Sequence, residues 1–263
     1  MESPMNRRLL TSCAALLLSA CAVSPTGRHQ LRLVSDSEVS QMGVTAFQQL
    51  KDKTPVTKDP RESAFVQCVA HALTAQVPNS ALTPASWEVQ VFDSKEINAF
   101  ALPGGKIGVY TGLLKVATTQ AQLAAVLGHE ISHVLAGHSA SRVSNQMASQ
   151  FGAVLISAGT GLPADAIGAG AQYLVLLPFS RGDESEADIL GMDLMARAGF
   201  DPEQAITLWQ NMSKQAGQTP PELLSTHPSN ATRIADLQKN LPKDIPIYEQ
   251  ARAAGRKPNC GST

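Results

Sequence analysis

Residues 121–138 read AQLAAVLGHEISHVLAGH. It lacks proline and is mostly apolar up to the first histidine, which predicts a helix over about residues 119–138. Residues four apart on a helix project from the same face. We therefore expect the side chains of His129 and His133 to lie side by side, with Glu130 next to them.

Two imidazoles at this spacing suit one Zn²⁺ ion, and the adjacent carboxylate suits the water that such an ion binds. The ion would acidify this water, and Glu130 would take its proton and pass it to a leaving amine. The motif therefore predicts metal-assisted hydrolysis of a peptide bond, with one zinc ion per chain. The alternative is a pair of surface histidines on a charged helix.

A catalytic zinc site needs a third protein ligand. His138 is not followed by the pattern of a three-histidine site, and it is interpreted as a polar residue at the helix end. Residues 180–191, SRGDESEADILG, offer carboxylates at the start of another predicted helix. Glu184 and Asp188 are four apart, so one can bind the metal while the other accepts the spare N–H of a ligand histidine. Spacing alone does not choose between Glu184 and Glu186, and a solvated acidic helix start remains open.

The rest of the chain predicts one α+β domain that is mostly helical. A capping box beginning at Ser35 and the proline at position 60 mark the starts of two helices. Residues 87–92 alternate as a strand does, and two further short runs flank Pro-Gly-Gly, which predicts a hairpin. These two strands are expected at 98–102 and 106–110, and the later helices at about 141–158, 163–177, 182–198, 202–216 and 229–240.

The first 20 residues resemble a secretory signal. Two arginines precede a 12-residue apolar stretch that is too short to cross a bilayer. The stretch ends in Leu-Ser-Ala-Cys, which resembles the bacterial lipobox, so Cys21 is the expected lipid attachment site. Residues 1–20 are interpreted as a lipoprotein signal peptide, residues 21–34 as a lipid-anchored tether and residues 35–263 as the metallopeptidase domain. An ordinary signal with a chance cysteine is the alternative.

The lipobox also predicts location and cysteine pairing. Ala22, where some sorting signals carry aspartate, indicates the outer membrane, with the domain facing the periplasm. Cys13 leaves with the signal and Cys21 carries lipid, so Cys68 and Cys260 remain. A disulfide between them is expected because the compartment is oxidising, and two buried free thiols are the alternative.

Composition restricts the partners. The chain has 21 basic and 22 acidic residues and a net charge of −1, so no basic excess favours a nucleic-acid partner.

Residues 151–179 are apolar, but glycines, a proline and polar residues interrupt them. They predict a buried or surface-lying helical pair rather than a membrane span.

Four motifs, in the same order, resemble the zinc metallopeptidases related to the CAAX prenyl protease and HtpX. With the lipobox, the resemblance extends to the exported lipoprotein branch that contains the LoiP and BepA periplasmic peptidases. It implies a gluzincin-like metalloprotease domain with a small, about three-stranded sheet beside the active-site helix. The motifs are HEISH at 129–133, the acidic segment 180–191, the hairpin at 98–114 and STHPS at 225–229 with Arg233.

The resemblance also assigns roles. It implies that Glu184 is the third metal ligand and that Asp188 supports the ligand histidines. It places His227 over the metal, where it stabilises the oxyanion or caps the zinc in a resting state. It further implies that Arg233 orients His227 or binds a substrate carbonyl. The edge of an extended strand, at Asn98, Ala99 and Phe100, would bind the substrate backbone.

The resulting expectation is a lipid-anchored zinc endopeptidase that acts on misfolded or misassembled envelope proteins. The alternative function is a chaperone or outer-membrane assembly factor with suppressed proteolysis, whose partner would be the outer-membrane assembly machinery. A structural zinc lipoprotein is a third interpretation. It is less favoured, because structural zinc rarely needs an adjacent carboxylate or an open coordination position.

Overall fold

The computed structural model describes residues 21–80, 82–160, 179–215, 222–227 and 231–261. The fold of these residues is mostly helical with a small mixed sheet, as the sequence predicts. In chain order the helices are α1 (Asp36–Lys53), α2 (Pro60–Thr74), α3 (Thr111–Leu114), α4 (Gln120–Leu135), α5 (His138–Thr160), α6 (Arg181–Arg197), α7 (Glu203–Gln215), α8 (Glu222–Thr226) and α9 (Ala231–Ala253). The strands are β1 (Cys21–Val23), β2 (His29–Leu31), β3 (Glu88–Phe92), β4 (Ala99–Leu102) and β5 (Lys106–Tyr110).

The three-stranded sheet has the order β3-β5-β4. Strand β3 runs parallel to β5, and β4 pairs antiparallel with β5, so the predicted hairpin is confirmed. Its turn contains Gly104 and Gly105 at φ 86° and 72°, a conformation that glycine adopts without a steric penalty. This order leaves β4 at an edge of the sheet.

Helix α4 is the centre of the core. Residues 122–134 are all buried, and the helix packs against α2, α6, α7 and β4. Such all-round burial explains its almost continuous apolar character. The helix ends at Leu135, earlier than predicted, because Gly137 adopts φ 67° and so terminates it in the left-handed conformation. His138 is therefore the first residue of α5 rather than the last of α4.

Helices α4 and α6 cross at two glycines. A Cβ atom added to Gly128 would lie 2.9 Å from the carbonyl oxygen of Gly191, and one added to Gly191 would lie 2.9 Å from the backbone nitrogen of His129. The absence of both side chains lets the two backbones touch. This contact brings the acidic side chains of α6 up to the histidines of α4.

The segment predicted as a tether contains a β-hairpin. Strands β1 and β2 pair antiparallel, and the turn between them contacts α6 through Arg28 and Thr26. Farther on, the backbone N–H of Leu33 donates to the hydroxyl of Ser144 on α5, 2.8 Å away. Residues 24–33 are thus attached to the helical core, which hydrophobicity patterns do not indicate. Cys21 is exposed at the start of β1.

The C-terminal part of the chain contains a helix that is longer than predicted and the predicted disulfide. The predicted end of the last helix at residue 240 is wrong, because α9 continues through Pro242 and Pro246 to Ala253. The helix packs against α6 and α7 and buries Leu237 and Ala251, and this packing offsets the hydrogen bonds lost at the prolines. The predicted disulfide between Cys68 and Cys260 is present, 192 residues apart.

The helix predicted at 163–177 and the signal peptide lie outside the described residues. The short helix α8 was not predicted. Within the described ranges, no helix combines the length and apolar character that crossing a bilayer requires.

Candidate metal centre

Four buried side chains bring potential metal ligands together. His129 and His133 come from α4, Glu184 comes from the first turn of α6, and His227 follows α8. One ligand atom from each residue can be chosen so that all four lie within 4.8 Å of one another. The structure therefore selects Glu184 for this group, a choice that spacing in the sequence leaves open.

The distances within this group fit a zinc ion. Nε2 of His129 lies 3.1 Å from Nε2 of His133 and 3.4 Å from Oε2 of Glu184, and Nε2 of His133 lies 3.4 Å from Oε1 of the same carboxylate. Atoms that each lie about 2.0–2.1 Å from one tetrahedral zinc ion are about 3.3–3.4 Å apart. The donors, two imidazoles and a carboxylate, are those of catalytic zinc sites with an open fourth position.

His227 lies where a fourth ligand would bind. Its Nδ1 is 3.2 Å from Nε2 of His129 and 2.9 Å from Oε1 of Glu184. Its Nε2 points towards Glu130, 3.4 Å from Oε1 of that carboxylate. This position is compatible with capping a metal ion and also lies next to the atoms that would react.

Glu130 lies buried beside the metal-ligand group. Its Oε1 is buried and has no hydrogen-bond partner within the described part of the chain, so its lone pairs are not used by another donor there. Burial raises the pKa of this carboxyl group above its ordinary value, while the charges of His227 and His129 oppose the shift. A raised pKa suits a group that must take up and release a proton.

The charged side chains of Asp188 and Arg233 fix the orientation of His129. Oδ1 of Asp188 lies 3.0 Å from Nδ1 of His129, close enough to accept a hydrogen bond from the ring and so fix its orientation. The guanidinium of Arg233 donates to Asp188 at 2.8 Å and to Glu184 at 3.1 Å, and it stacks over the ring of Trp209 at 3.5 Å. Arg233 is only 4% exposed. Arg233 is thus held against the two carboxylates of α6, and its Nη2 also lies 3.0 Å from Nδ1 of His129.

His138 and Glu186 are more closely connected to the site than the sequence suggests. Interpreting His138 as a polar helix-end residue is wrong, because it is fully buried, with Nδ1 2.9 Å from Nδ1 of His133. Its Nε2 lies 3.2 Å from Oε2 of Glu186. Burial lowers the pKa of the His138 imidazole, although Asp183 and Glu186 oppose the shift.

The carboxylate of Glu186 is ionised in these surroundings. Burial disfavours its charge, but hydrogen bonds from Ser24, Thr26 and His138 outweigh burial and lower its pKa to about 2. Sequence spacing made Glu186 a competitor for the metal, and the structure instead turns it towards the N-terminal hairpin. In the sequence, the one feature that could have indicated this link is the position of His138, five residues after His133.

A cleft of about 430 Å³ opens beside the site. Strand β4 forms one wall, with Asn98, Ala99 and Phe100, and Glu130 and His227 also line the cleft. Oδ1 of Asn98 is buried and lacks a hydrogen-bond partner among the described residues. The predicted substrate edge thus lies in the same cavity as the predicted general base.

Fold and site together define a metallopeptidase domain. The sequence model of peptidase family M48 matches residues 60–241, which include every member of the metal-ligand group. The chain therefore belongs to peptidase family M48.

Several similar proteins carry names that agree with this class. The chain is 38% identical over 177 residues to the mitochondrial metalloendopeptidase OMA1 of Schizosaccharomyces pombe, covering 66% of this chain and 52% of the relative. It is 31% identical to human OMA1, covering 85% and 44%. It is 29% identical to the β-barrel assembly-enhancing protease of Escherichia coli, covering 89% and 50%. The chain spans about half the length of these relatives.

Proposed function

We propose that this protein is a zinc-dependent endopeptidase. The observation that carries the proposal is the convergence of His129, His133 and Glu184 at zinc-like spacing, with Glu130 beside them in a cleft. Family membership and the names of the relatives support the same activity. The donor set of nitrogen and carboxylate ligands favours zinc over the hard cations magnesium and calcium, which prefer oxygen.

The residues around the site divide the chemistry among them. Bound zinc supplies an acidified water and polarises the scissile carbonyl. Glu130 accepts the proton of that water and returns it to the amine that leaves. Asp188 holds the N–H of His129, which keeps Nε2 free to bind the metal. The backbone of β4 pairs with an extended substrate, and Asn98 offers its unpaired side-chain oxygen to a substrate N–H.

His227 is proposed to cap the zinc in a resting state. Its Nδ1 lies against two members of the metal-ligand group, so with zinc bound it would take the place that the reacting water needs. Withdrawal of this ring would open the position. The ring could then donate a hydrogen bond to the oxyanion that forms on the substrate.

The substrates and location are proposed from separate observations. Cys21 is exposed at the beginning of β1, where an attached lipid would not collide with the fold. Together with the lipobox, this favours a lipoprotein of the outer membrane that faces the periplasm. The relative from Escherichia coli is named for β-barrel assembly. Misfolded or misassembled envelope proteins are therefore the proposed substrates.

Metal analysis and casein degradation test the proposal on the wild type, Glu130→Gln and His227→Ala. All three should bind one zinc ion per chain, and Glu130→Gln should lose at least about 100-fold in rate because the general base is gone. His227→Ala should degrade casein faster if the ring caps the zinc. Glu203→Gln, an exposed carboxylate at the start of α7, is the matched control.

Two results would count against the proposal. If the wild type binds no zinc, the proposed metal site is wrong. If Glu130→Gln degrades casein at the wild-type rate, the proposed role of Glu130 as general base is wrong. If Glu130→Gln instead prevents aggregation of an unfolded envelope protein as well as wild type does, the chaperone alternative gains support. A slower His227→Ala variant would assign the ring to the oxyanion rather than to the cap.

A further inference from the structure

A chain of hydrogen-bonding groups runs from a predicted metal ligand to the N-terminal hairpin. It begins at Nδ1 of His133, passes to Nδ1 of His138 at 2.9 Å and continues from Nε2 of His138 to Oε2 of Glu186 at 3.2 Å. All three residues are buried, at 1%, 0% and 2% exposure. Water therefore cannot substitute for a lost partner without rearrangement of the core.

The hairpin completes this chain. Oε1 of Glu186 accepts hydrogen bonds from the backbone N–H of Thr26 at 3.2 Å and from its hydroxyl at 2.7 Å. The guanidinium of Arg28 donates to Oε2 of Glu186 and to Oδ1 of Asp183, both at 2.9 Å. These contacts join residues about 155–160 positions apart. Glu186 therefore has the hydrogen bonds that a buried carboxylate requires.

The direction of each hydrogen bond follows from the metal. If Nε2 of His133 binds zinc, its Nδ1 must carry the proton and donate. Nδ1 of His138 is then the acceptor, so the proton of that ring lies on Nε2 and points to Glu186. Both oxygens of Glu186 already accept hydrogen bonds, from Thr26 and Arg28, so its role as acceptor agrees with this assignment. One arrangement of protons therefore satisfies every atom in the chain.

We propose that His138 and Glu186 are positioning residues that hold His133 in its metal-binding tautomer, and that Thr26 and Arg28 of the N-terminal hairpin complete their support. The inference rests on the proposed zinc site. It adds His133 to His129 as a metal ligand whose ring is held in orientation by other side chains. Asp188 orients His129 directly, whereas His133 reaches its carboxylate through an intervening imidazole. The segment that follows the proposed lipid anchor is thus part of the metal site.

Zinc affinity is the property that separates positioning from mere packing. In chelator competition with Zn²⁺ alone, Glu186→Gln and His138→Phe should each raise the Kd for zinc about 10- to 100-fold, the usual effect of removing such a partner. Arg28→Met should raise the Kd less, since Thr26 remains. In the Glu186→Gln background, Arg28→Met should raise the Kd for zinc little further, because both changes break the same series of hydrogen bonds.

A matched control lies on the same helix. Asp193→Asn removes a carboxylate of α6 that pairs with Arg197, away from this chain, and should leave the Kd for zinc unchanged. If Glu186→Gln and Arg28→Met lower the Tm of the metal-free protein but keep the wild-type Kd, the chain is only structural and the inference is overturned. Arg28 is partly exposed, so this variant decides the question even if His138→Phe does not fold.

Nitrogen-15 NMR of histidine-labelled, zinc-loaded wild type gives a second test. The inference requires protons on Nδ1 of His133 and Nε2 of His138, and the opposite tautomer at either ring overturns it. Absence of zinc binding by the wild type would overturn the proposed function and this inference together. Wild-type zinc binding with unchanged Kd in the variants would overturn the inference alone.

Discussion

Single residues set how the metal site responds to pH. Burial and the charge of Arg233 oppose protonation of His129, but hydrogen bonds with Asp188 and Glu184 outweigh them and raise its pKa to about 9. Without metal, His129 therefore holds a proton over most of the neutral range. This proton must leave before Nε2 can bind a zinc ion.

This competition predicts a steep pH dependence of zinc affinity. The Kd for zinc should rise about tenfold for each unit that the pH falls below about 9, because one proton is released for each ion bound. Chelator competition across a pH series measures the slope, and calorimetry in buffers of different ionisation enthalpy counts the proton. A Kd that stays constant from neutral to alkaline pH would contradict the expectation.

The same shift affects the stability of the metal-free protein. The pKa of His129 is raised above its ordinary value of 6.5, so protonation stabilises the folded state. This contribution is fully present below about pH 6.5 and is lost as the pH rises through about 9. Zinc reverses the trend, since the bound form needs the neutral ring.

At the scale of helices, the crossing of α4 and α6 determines whether the ligands meet. Replacing glycine by alanine usually stabilises a helix by about 1 kcal/mol. At Gly191 the opposite is expected, because the new Cβ would lie 2.9–3.1 Å from backbone atoms of Gly128 and His129. Gly191→Ala should cost about 1–3 kcal/mol and separate Glu184 from His129.

Urea denaturation and zinc titration of Gly191→Ala measure these two effects. Asp193→Ala, on the same helix, is the control and should change stability only slightly, because its ion pair with Arg197 is partly exposed and such pairs contribute little. Wild-type stability together with wild-type zinc affinity in Gly191→Ala would show that the close approach of the two helices is not required.

At the scale of the whole molecule, the disulfide attaches the C-terminal tail to the core. Besides the bond from Cys260 to Cys68, the backbone N–H of Cys260 donates to Oε1 of Gln120, and Nε2 of Gln120 donates to the carbonyl of Pro258. Cys260→Ser should lower the free energy of unfolding by about 2–5 kcal/mol. Zinc affinity should stay unchanged, because the ligands and their supports lie elsewhere.

Urea denaturation with and without reductant tests this expectation. Reductant should destabilise the wild type to the level of Cys260→Ser and have no effect on the variant itself. A variant as stable as the oxidised wild type would show that the hydrogen bonds of Gln120 hold the tail without the disulfide.

Local patterns in the sequence determine much of this protein. The helical spacing of His129 and His133, the capping box at Ser35 and the Pro-Gly-Gly turn each involve only a few neighbouring residues. Their geometry is set by backbone periodicity and turn chemistry, so it can be predicted from the sequence. The family resemblance then pointed to Glu184, which spacing did not separate from Glu186.

Only the tertiary structure decided which distant groups meet. The buried position of His138, the attachment of the hairpin to Glu186 and the continuation of α9 through two prolines depend on contacts between elements. Propensity and periodicity describe a segment alone, whereas burial and hydrogen bonding to a distant partner outweigh local preferences of about 1–3 kcal/mol. The sequence therefore determined which groups can bind a metal, and packing of α4 against α6 decided which of them share one site.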